Sequence, residues 1–448
     1  MARMAPERIP ETRLFWKYQR DKLTRQISYI QSRKTGQEGS LAWGNVVRME
    51  EQTVVMVRYG ELFLKSEPVK RHFIGLLIRN IKRSLDTAGL SFRYETPRGR
   101  ILIYGDEPSK IASEIARVFG VVDVSVATIT GNTPDELGKA ARALGKRHLK
   151  AGMRFAVRAK RQKGSGGPDS QELGRVIGSV LLDDQPEAIV DLTHPEYEVF
   201  VEARENGGFV YDHRIGAPGG LPFGTQGNAL GLISAGIDSP VASWLMMKRG
   251  CGMVHLNMDA GRWAGCATAA GAIENHRRLS LWVKGYPLRM LVVDSSPLYD
   301  AMSKGVPQRY ICIVCKRFML RVAAKLMPGE HAQVIVTGEN LGQVASQTLS
   351  NLAVISSAVH VPVIRPLVTY DKADIVTLAR RIGTFNQKPG DLCCRAVPAM
   401  PSTGANLADV VAAEVKIDID LLVEQAIQRI RVITALNGEI TVHDKPED

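Results

Sequence analysis

Cysteine is scarce in this chain, and apolar runs of membrane-spanning length are lacking. Six cysteines among 448 residues are too few for a secreted protein held together by disulfides. Residues 216–237 and 340–364 contain no Asp, Glu, Lys or Arg, but Gly and Pro interrupt the first stretch and Gln, Ser, Thr and Asn the second, so neither is typical of a membrane span. The N-terminus lacks the apolar core of a signal peptide. We therefore predict a soluble, cytoplasmic protein with no membrane partner.

Acidic residues are fewer than basic ones. The chain has 58 Lys and Arg against 46 Asp and Glu, which gives a net charge of +12 and a pI of about 9.4. This excess of positive charge favours a polyanionic partner, most simply a nucleic acid. Residues 1–50 share the excess, and we interpret them as a basic N-terminal extension. A chain of this length has room for about three domains.

A dense basic patch lies in the N-terminal half, where short predicted strands and helices favour small α+β domains up to about residue 215. The predicted strand 153–159 and the loop after it carry Arg154, Arg158, Lys160, Arg161 and Lys163. Because the glycine-rich loop 164–167 follows, the patch suits an RNA phosphate backbone. We predict RNA binding here, and a solvated strand end is the alternative.

The pattern changes after the turn-rich bridge 216–222. Predicted strands then alternate with longer helices as far as residue 382. This alternation predicts a doubly wound parallel sheet with helices on both faces. The chain as a whole is therefore expected to be of the α/β class, with smaller α+β domains before the sheet.

A short loop joins the first strand of this sheet to its first helix. Residues 234–239 read Ser-Ala-Gly-Ile-Asp-Ser, and the N–H groups of such a loop and of a helix N-terminus form a ready anion site. Asp238 suits a metal ion or a nucleotide, and the hydroxyls of Ser234 and Ser239 suit phosphate oxygens. The lack of Gly-Lys-Ser/Thr excludes a Walker-type loop. A packing turn without function is the alternative.

The same loop resembles the pyrophosphatase loop, Ser-Gly-Gly-x-Asp-Ser, of enzymes that split ATP into AMP and pyrophosphate. The wider sequence is similar to the tRNA 4-thiouridine synthetases (tRNA uridine 4-sulfurtransferases) of the rhodanese-lacking, archaeal type. The matching segments are 57–61 with Lys65, 218–228, 247–250, 337–348, 365–367, 371–372 and 382–384. The resemblance implies a ferredoxin-like domain at 51–110, a THUMP RNA-binding domain at 111–215 and a PP-loop ATP pyrophosphatase domain at 216–448.

The resemblance also implies an activity, the conversion of uridine 8 of tRNA into 4-thiouridine. ATP, with Mg²⁺, would transfer AMP to the uridine oxygen, and a sulfur nucleophile would then displace the AMP. The residues expected to serve ATP activation are Asp238, Ser234, Ser239 and Lys316. The family's nucleotide contacts carry over to Leu232, Ile233, Gly236, His255, Leu256, Lys316, Gly338 and Gln347. The implied partners are a tRNA, which is held at its acceptor end, and an external sulfur donor (sulfide or a persulfide carrier). A homodimer is also compatible with the resemblance.

One residue of the loop departs from the family's pattern. Ala235 stands where the family has Gly, and its Cβ would crowd the phosphates or require a different backbone angle. Because Ala is the smallest such change, we expect activity to survive. Two alternatives remain open: a non-catalytic tRNA-binding protein, and another PP-loop ATP pyrophosphatase that acts on a small molecule.

The cysteines bear on the source of the sulfur. Cys312 and Cys315 form a Cys-x-x-Cys pair at the head of a predicted helix, a pattern that favours metal or redox chemistry in a cytosolic protein. The residues after Cys394 are too few for a rhodanese domain. We predict that Cys312, Cys315 and Cys393, with Cys394 as substitute, hold a 4Fe–4S cluster with one iron open to external sulfur. A redox disulfide, a zinc site completed by Cys394 and buried cysteines without function are the alternatives.

Overall fold

The computed structural model describes residues 53–443, apart from residues 98, 163, 165, 206 and 386–393. Three predicted features therefore lie outside the described residues, namely the extension 1–50, Lys163 of the basic patch and Cys393. None of the helices in the described part of the chain is long and apolar enough to cross a membrane.

The first sheet belongs to the N-terminal half of the described chain. Its strands are β1 (Thr53–Tyr59), β2 (Arg93–Glu95), β3 (Ile101–Tyr104), β4 (Val121–Thr130), β5 (Arg154–Arg161), β6 (Ile189–Val190), β7 (Tyr197–Arg204), β8 (Gly207–Tyr211) and β9 (Ile215–Gly216). The helices are α1 (Glu67–Thr87), α2 (Pro108–Ile115), α3 (Pro134–His148) and α4 (Ser170–Asp184). In α1, Phe73, Leu77, Ile81 and Leu85 recur every four residues and pack in one core with β1, because this spacing puts them on one helix face.

Strand β4 joins the two parts of this sheet, whose order is β2-β3-β1-β4-β8-β7-β5-β6 with β9 beside β4. Its residues 121–128 pair with β1, and its residues 128–130 pair with β8. The two α+β domains expected from the sequence therefore share one continuous sheet.

The second sheet is mainly parallel. Its parallel strands are β10 (Asn228–Leu232), β11 (Gly252–Asp259), β12 (Leu288–Asp294), β13 (Ala332–Val336) and β14 (Val363–Ile364). The helices around it are α5 (Asp238–Lys248), α6 (Thr268–Ser280), α7 (Ser296–Gly305), α8 (Ile311–Leu326), α9 (Leu349–Ser356), α10 (Lys372–Ile382), α11 (Leu407–Lys416) and α12 (Ile419–Gln428). Two cores, one around Trp244 and one around Phe318, confirm the predicted doubly wound arrangement.

One edge of this sheet differs from the all-parallel prediction. β15 (Ile430–Leu436) and β16 (Glu439–His443) form an antiparallel hairpin, and β15 pairs with β12. Asn437 and Gly438 at the turn have φ values of +54° and +87°, as a tight hairpin requires. The Asn-Gly pair between two β-branched runs is a sequence signal for this hairpin that the prediction did not use.

Local residues set the starts of two helices near the loop. Helix α9 begins at Leu349, because Thr348 has an extended backbone and caps the helix by accepting from the N–H of Asn351. Helix α5 begins at Asp238, so Pro240 takes its third position. The missing N–H of Pro240 still falls in the first turn, where backbone N–H groups have no partner within the helix.

Candidate active site

The loop between β10 and α5 is held in shape by its own serines. The Ser234 N–H donates to the Ser239 Oγ over 2.9 Å, and the two hydroxyl oxygens lie 3.0 Å apart. The Gly236 N–H donates to the Ser234 Oγ over 3.3 Å. Asn275 on α6 donates to the carbonyl oxygens of Ser234 and Gly236. These bonds fix a tight bend at the N-terminus of α5, which suits an anion.

A cavity of about 280 Å³ lies beside this loop, at the carboxyl ends of the parallel strands, where open α/β sheets bind ligands. The predicted nucleotide contacts that line it are Leu232, Ile233, Gly236, Leu256, Lys316, Gly338 and Gln347. The predicted catalytic residues Ser234, Asp238 and Ser239 line it as well. The fold thus brings distant segments of the chain to one cavity of the size used for small ligands.

His255 lies on the opposite side of β11 from this cavity. Its side chain is fully buried, and its Nδ1 lies 2.8 Å from the Nδ1 of His276 on α6. Because side chains alternate along a strand, the next residue, Leu256, lines the cavity while His255 faces the core. Burial lowers the pKa of His255 well below its ordinary value and that of His276 to about 4, so both rings are neutral at pH 7.

Asp238 has two partners that the sequence analysis did not place in the site. Lys372, in the first turn of α10, donates to the Asp238 Oδ1 over 2.7 Å, and the Gln343 Nε2 lies 3.4 Å from the Oδ2. Lys372 belongs to one of the segments that match the family, so a signal for it was present in the sequence. Its ammonium group adds positive charge beside the loop, where a phosphate would bind.

Gly338 lets the turn after β13 approach the loop closely. A Cβ at this position would lie 2.7 Å from the nitrogen of Ser239 and 2.8 Å from its Cα, so only glycine fits. Ala235, by contrast, is not among the described non-glycine residues with positive φ. The departure from the family's pattern therefore adds no left-handed backbone strain to the loop.

Thiols gather at the N-terminal end of α8. Cys315 is buried, and its Sγ lies 3.2 Å from the hydroxyl of Tyr299. Cys394 is exposed, and its backbone forms an isolated β-bridge with that of Ala264. Burial raises the pKa of Cys312 and raises that of Cys315 to about 12, and the charge of Cys394 acts in the same direction on both. Because a like charge shifts a pKa only at short range, Cys394 lies near Cys312 and Cys315.

These thiols fit an iron–sulfur cluster in donor type, since such clusters are held by cysteine thiolates. In the described part of the chain, however, no group of three or more His, Cys, Asp or Glu side chains is arranged to hold a metal ion. Cys393, the predicted third ligand, lies outside that part, and its neighbour Cys394 is the thiol found near Cys312 and Cys315. The chemistry of the donors therefore suits the cluster, while a complete ligand set is not present among the described residues.

Helix α8 connects the thiols to the nucleotide cavity. Lys316 lines the cavity, and Cys315, the residue before it, contacts Tyr299. Successive Cα atoms are only 3.8 Å apart, so the two features lie on adjoining sides of one helical turn. The Lys316 Nζ donates to the Oε1 of Glu339 over 2.9 Å.

A groove of about 1280 Å³ lies on the first sheet between β5, β7 and α4. Of the predicted RNA contacts, Arg158 and Lys160 line this groove, while Arg154 and Arg161 do not. The Nε of Arg158 lies 2.7 Å from the carboxylate of Glu198, which neutralises part of the patch. Lys160 is exposed and pairs with none of the described carboxylates. The groove is therefore basic, but less so than the sequence suggested.

An ionic network beside the groove was not evident from the sequence. The carboxylate of Glu202 is nearly buried and accepts from Arg58, Arg100 and Arg204 over 3.4, 3.3 and 2.9 Å. Burial opposes its ionisation, but the three guanidinium groups outweigh burial and lower the pKa of Glu202 to about 2. Arg58 also donates to Asp123 over 2.5 Å. Arg58 and Arg100 thus contribute fixed cations to the groove wall.

Models of three protein families match successive parts of the chain. They are the ThiI ferredoxin-like domain over residues 54–125, the THUMP domain over residues 131–211 and the thiamine biosynthesis protein (ThiI) over residues 224–419. Their order is the order of domains that the resemblance implied.

Curated relatives and solved structures agree with these matches. A probable tRNA sulfurtransferase of Methanosarcina mazei is 36% identical over 390 residues, which are 86% of this chain and 96% of that protein. The tRNA sulfurtransferase of Pyrobaculum aerophilum is 38% identical over 74% of this chain and 67% of its own length. A crystal structure of a 4-thiouridine synthetase–RNA complex with bound ATP is 32% identical, with a TM-score of 0.74 over 86% of this chain and all of that chain. The chain therefore belongs to the ThiI family of tRNA sulfurtransferases.

Proposed function

We propose that this chain uses ATP to convert uridine 8 of tRNA into 4-thiouridine. In the first step the uridine O4 attacks the α-phosphorus of ATP, a new O–P bond forms, and pyrophosphate departs. In the second step a sulfur nucleophile attacks C4, and AMP departs with the former uridine oxygen. The proposal rests on one observation. Helix α8 carries Lys316, which lines the nucleotide cavity, directly after the thiol of Cys315.

The loop side of the cavity would bind the phosphates of ATP. The N–H groups at the start of α5 and the ammonium groups of Lys316 and Lys372 would stabilise the charge that develops as pyrophosphate leaves. Asp238 fits a role in holding Mg²⁺, which proteins usually bind through one or two carboxylates together with the substrate's phosphates. When bound, Mg²⁺ would neutralise negative charge on the departing pyrophosphate. Apolar side chains such as Leu232, Leu256 and Met258 would cover the base and ribose.

The thiols at the head of α8 would serve the sulfur step. We propose that Cys312, Cys315 and Cys393, with Cys394 as substitute, hold an iron–sulfur cluster, which would bind sulfur from an external donor at an open iron. Cys312 and Cys315 lie near Cys394, and Lys316 places them beside the cavity that would activate the uridine, so sulfur delivery and base activation would take place next to each other. We also propose that the three domains of the chain extend over residues 51–110, 111–215 and 216–448.

The basic groove would bind the tRNA. Arg158 and Lys160 line it, and the fixed cations Arg58 and Arg100 extend the positive wall. Contacts to phosphates of this kind position RNA without reading its sequence. The RNA in the related crystal structure supports this partner.

Incubation of the anaerobically purified chain with ATP, Mg²⁺, sulfide and unmodified tRNA tests the proposal. We expect equal amounts of AMP and pyrophosphate, and 4-thiouridine on nucleoside analysis of the tRNA. Iron and zinc assays with a visible absorption spectrum identify any group bound to the cysteines. Release of pyrophosphate without tRNA, driven by a small molecule, would point to the rival pyrophosphatase class. Tight tRNA binding without any pyrophosphate would indicate a non-catalytic protein.

A further inference from the structure

Glu339 is the centre of a charged cluster in the wall of the nucleotide cavity. Its side chain lines the cavity, and the residue is only 7% exposed. Its Oε1 accepts from the Nζ of Lys316 over 2.9 Å, and its Oε2 accepts from the Nε of Arg365 over 2.7 Å. The hydroxyl of Thr337 donates to the same Oε2 over 3.1 Å. One carboxylate thus binds two cations that come from different parts of the chain.

The cluster has a net positive charge. Burial opposes the ionisation of Glu339, but Lys316 and Arg365 outweigh burial and hold the pKa of its carboxyl below the ordinary value. The ammonium group of Lys316 has three N–H donors, and Glu339 uses one of them. Among the described residues Lys316 has no other hydrogen-bond partner, so its other donors are available to a ligand in the cavity, which Lys316 also lines.

A lysine side chain is long and flexible, so its ammonium group needs a partner to stay in one place. Glu339 provides that partner from a turn whose position is itself fixed, since Gly338 packs against the backbone of Ser239 in the loop. The position of Lys316 relative to the loop is therefore set through Glu339. Arg365 is held in the same way and donates its second bond to the hydroxyl of Ser356 over 2.9 Å.

We propose that Glu339 is a positioning residue for adenylation, which acts by holding the ammonium group of Lys316 against the phosphates of ATP. The inference rests on the proposed function, because it assigns Lys316 to pyrophosphate departure. Glu339 itself carries the wrong charge to bind phosphate, so its effect must pass through the cations that it holds. Its loss should therefore slow the chemical step without weakening the binding of ATP.

Glu414 offers a matched control for the loss of a buried, doubly paired carboxylate. It is 2% exposed and accepts from Arg317 over 2.7 Å and from Arg321 over 2.9 Å, but it does not line the cavity. Glu414→Gln removes the same kind of ion pair as Glu339→Gln. A purely structural effect should appear in both variants.

The test is a double-mutant cycle on the full chain with Glu339→Gln, Lys316→Met and both together. We measure pyrophosphate release with tRNA, ATP binding by calorimetry and melting temperature, with Glu414→Gln alongside. We expect Glu339→Gln to lower kcat by about tenfold, to leave the Kd for ATP unchanged or tighter, and to have no further effect on kcat in the Lys316→Met background. Glu414→Gln should lower the melting temperature and leave kcat and Kd close to those of the wild type.

The outcomes separate this inference from the proposed function. An equal loss of kcat from Glu339→Gln in both backgrounds, or a wild-type kcat for that variant, overturns the positioning role. A wild-type chain that releases no pyrophosphate overturns the proposed function instead. If Glu339→Gln does not fold, Glu339→Asp replaces it in the same cycle. This variant keeps the charge, so a smaller loss of kcat that again vanishes with Lys316→Met supports the role, and an additive loss contradicts it.

Discussion

Single side chains set the shape of the nucleotide site through close approaches and local charge. Gly338 lies where any Cβ would overlap the backbone of Ser239. Asp238 lies between Lys372 and Gln343, and Ser234 and Ser239 bond to the loop rather than project freely. The site therefore depends on a few atoms whose removal or addition should have large effects.

The substitution Gly338→Ala tests the close approach. The added Cβ would force the turn after β13 away from the loop, and displacements near 1 Å can reduce the rate strongly. We expect pyrophosphate release to fall by about tenfold or more while the chain stays folded. Gly404→Ala is the control, since a Cβ there meets no atom within 4 Å. Equal activity of the two variants would contradict the geometric argument.

The substitution Asp238→Ala tests the role of the loop carboxylate. It should remove the proposed Mg²⁺ ligand and leave Lys372 without its carboxylate partner, so adenylation should fall by about a hundredfold. Binding of tRNA, measured by gel shift, should not change, because the basic groove lies on the other sheet. Asp374→Ala, an exposed position on α10, should behave like the wild type. An active Asp238→Ala protein would exclude this role.

The buried pair His255 and His276 should make stability depend on pH. Burial lowers both pKa values from 6.5, that of His276 to about 4. Above about pH 6.5 both rings are neutral in the folded and unfolded states; below it the unfolded chain binds protons that the folded chain cannot bind. For His276 alone, the free energy of unfolding should fall by on the order of 2 kcal/mol from pH 7 to pH 5.

Thermal melts across this pH range check the prediction. The double variant His255→Leu and His276→Leu contains no titrating pair and should show a flatter dependence of melting temperature on pH. The same slope in the wild type and the double variant would show that other groups control acid stability.

At the scale of secondary-structure elements, helix α8 combines residues of the candidate site with a buried ion pair. It contains Cys312, Cys315 and Lys316, and its next residue, Arg317, is 2% exposed. Arg317 forms a bidentate pair with Glu414 of α11, over 2.7 and 3.1 Å. This pair fastens α8 to α11, and neither of its residues lines the cavity, so we expect it to contribute to stability rather than to the site.

The substitution Glu414→Gln tests this fastening. Removal of one partner leaves Arg317 buried without its counterion, which should lower the free energy of unfolding by about 3 kcal/mol. Glu424→Gln breaks the exposed pair with Lys325 and should cost less than about 1 kcal/mol. Urea unfolding of both variants gives the comparison, and equal losses would mean that burial of the pair does not matter.

At the scale of the whole molecule, side chains of the first sheet region contact those of the second. The Phe119 ring packs on Trp244 with a centroid distance of 5.5 Å, and Lys284 donates to Glu114 over 2.5 Å. The basic groove and the nucleotide cavity are therefore parts of one framework.

The paired substitutions Arg158→Gln and Lys160→Gln test the groove as the tRNA site. Each lost phosphate contact should reduce the slope of log affinity against log salt by about 1. The affinity should fall while pyrophosphate release at saturating tRNA stays close to normal. Lys325→Gln, which changes charge in the C-terminal half, should leave the slope unchanged. An unchanged slope in the groove variant would remove this patch from the interface.

Local sequence patterns were enough to identify much of this protein. The loop 234–239, the alternation of strands and helices, and the Cys-x-x-Cys pair each depend on residues close together in the chain, so their structural consequences are local. The Asn-Gly turn before β16 was equally local and was overlooked. All of the predicted nucleotide contacts except His255 line one cavity. His255 lies on the other face of β11, and the face that a residue takes depends on the register of its strand.

Only the tertiary structure decided which charged side chains pair when they lie far apart in the sequence. The pairing of Lys372 with Asp238, of Glu339 with Lys316 and Arg365, and of Glu202 with three arginines depends on which strands and helices become neighbours. No local spacing encodes such contacts, because an ion pair forms only after the sheet order and the packing of helices have brought both ends together. The sequence determined the chemical groups and their local shapes, and the packed fold decided which groups face one another.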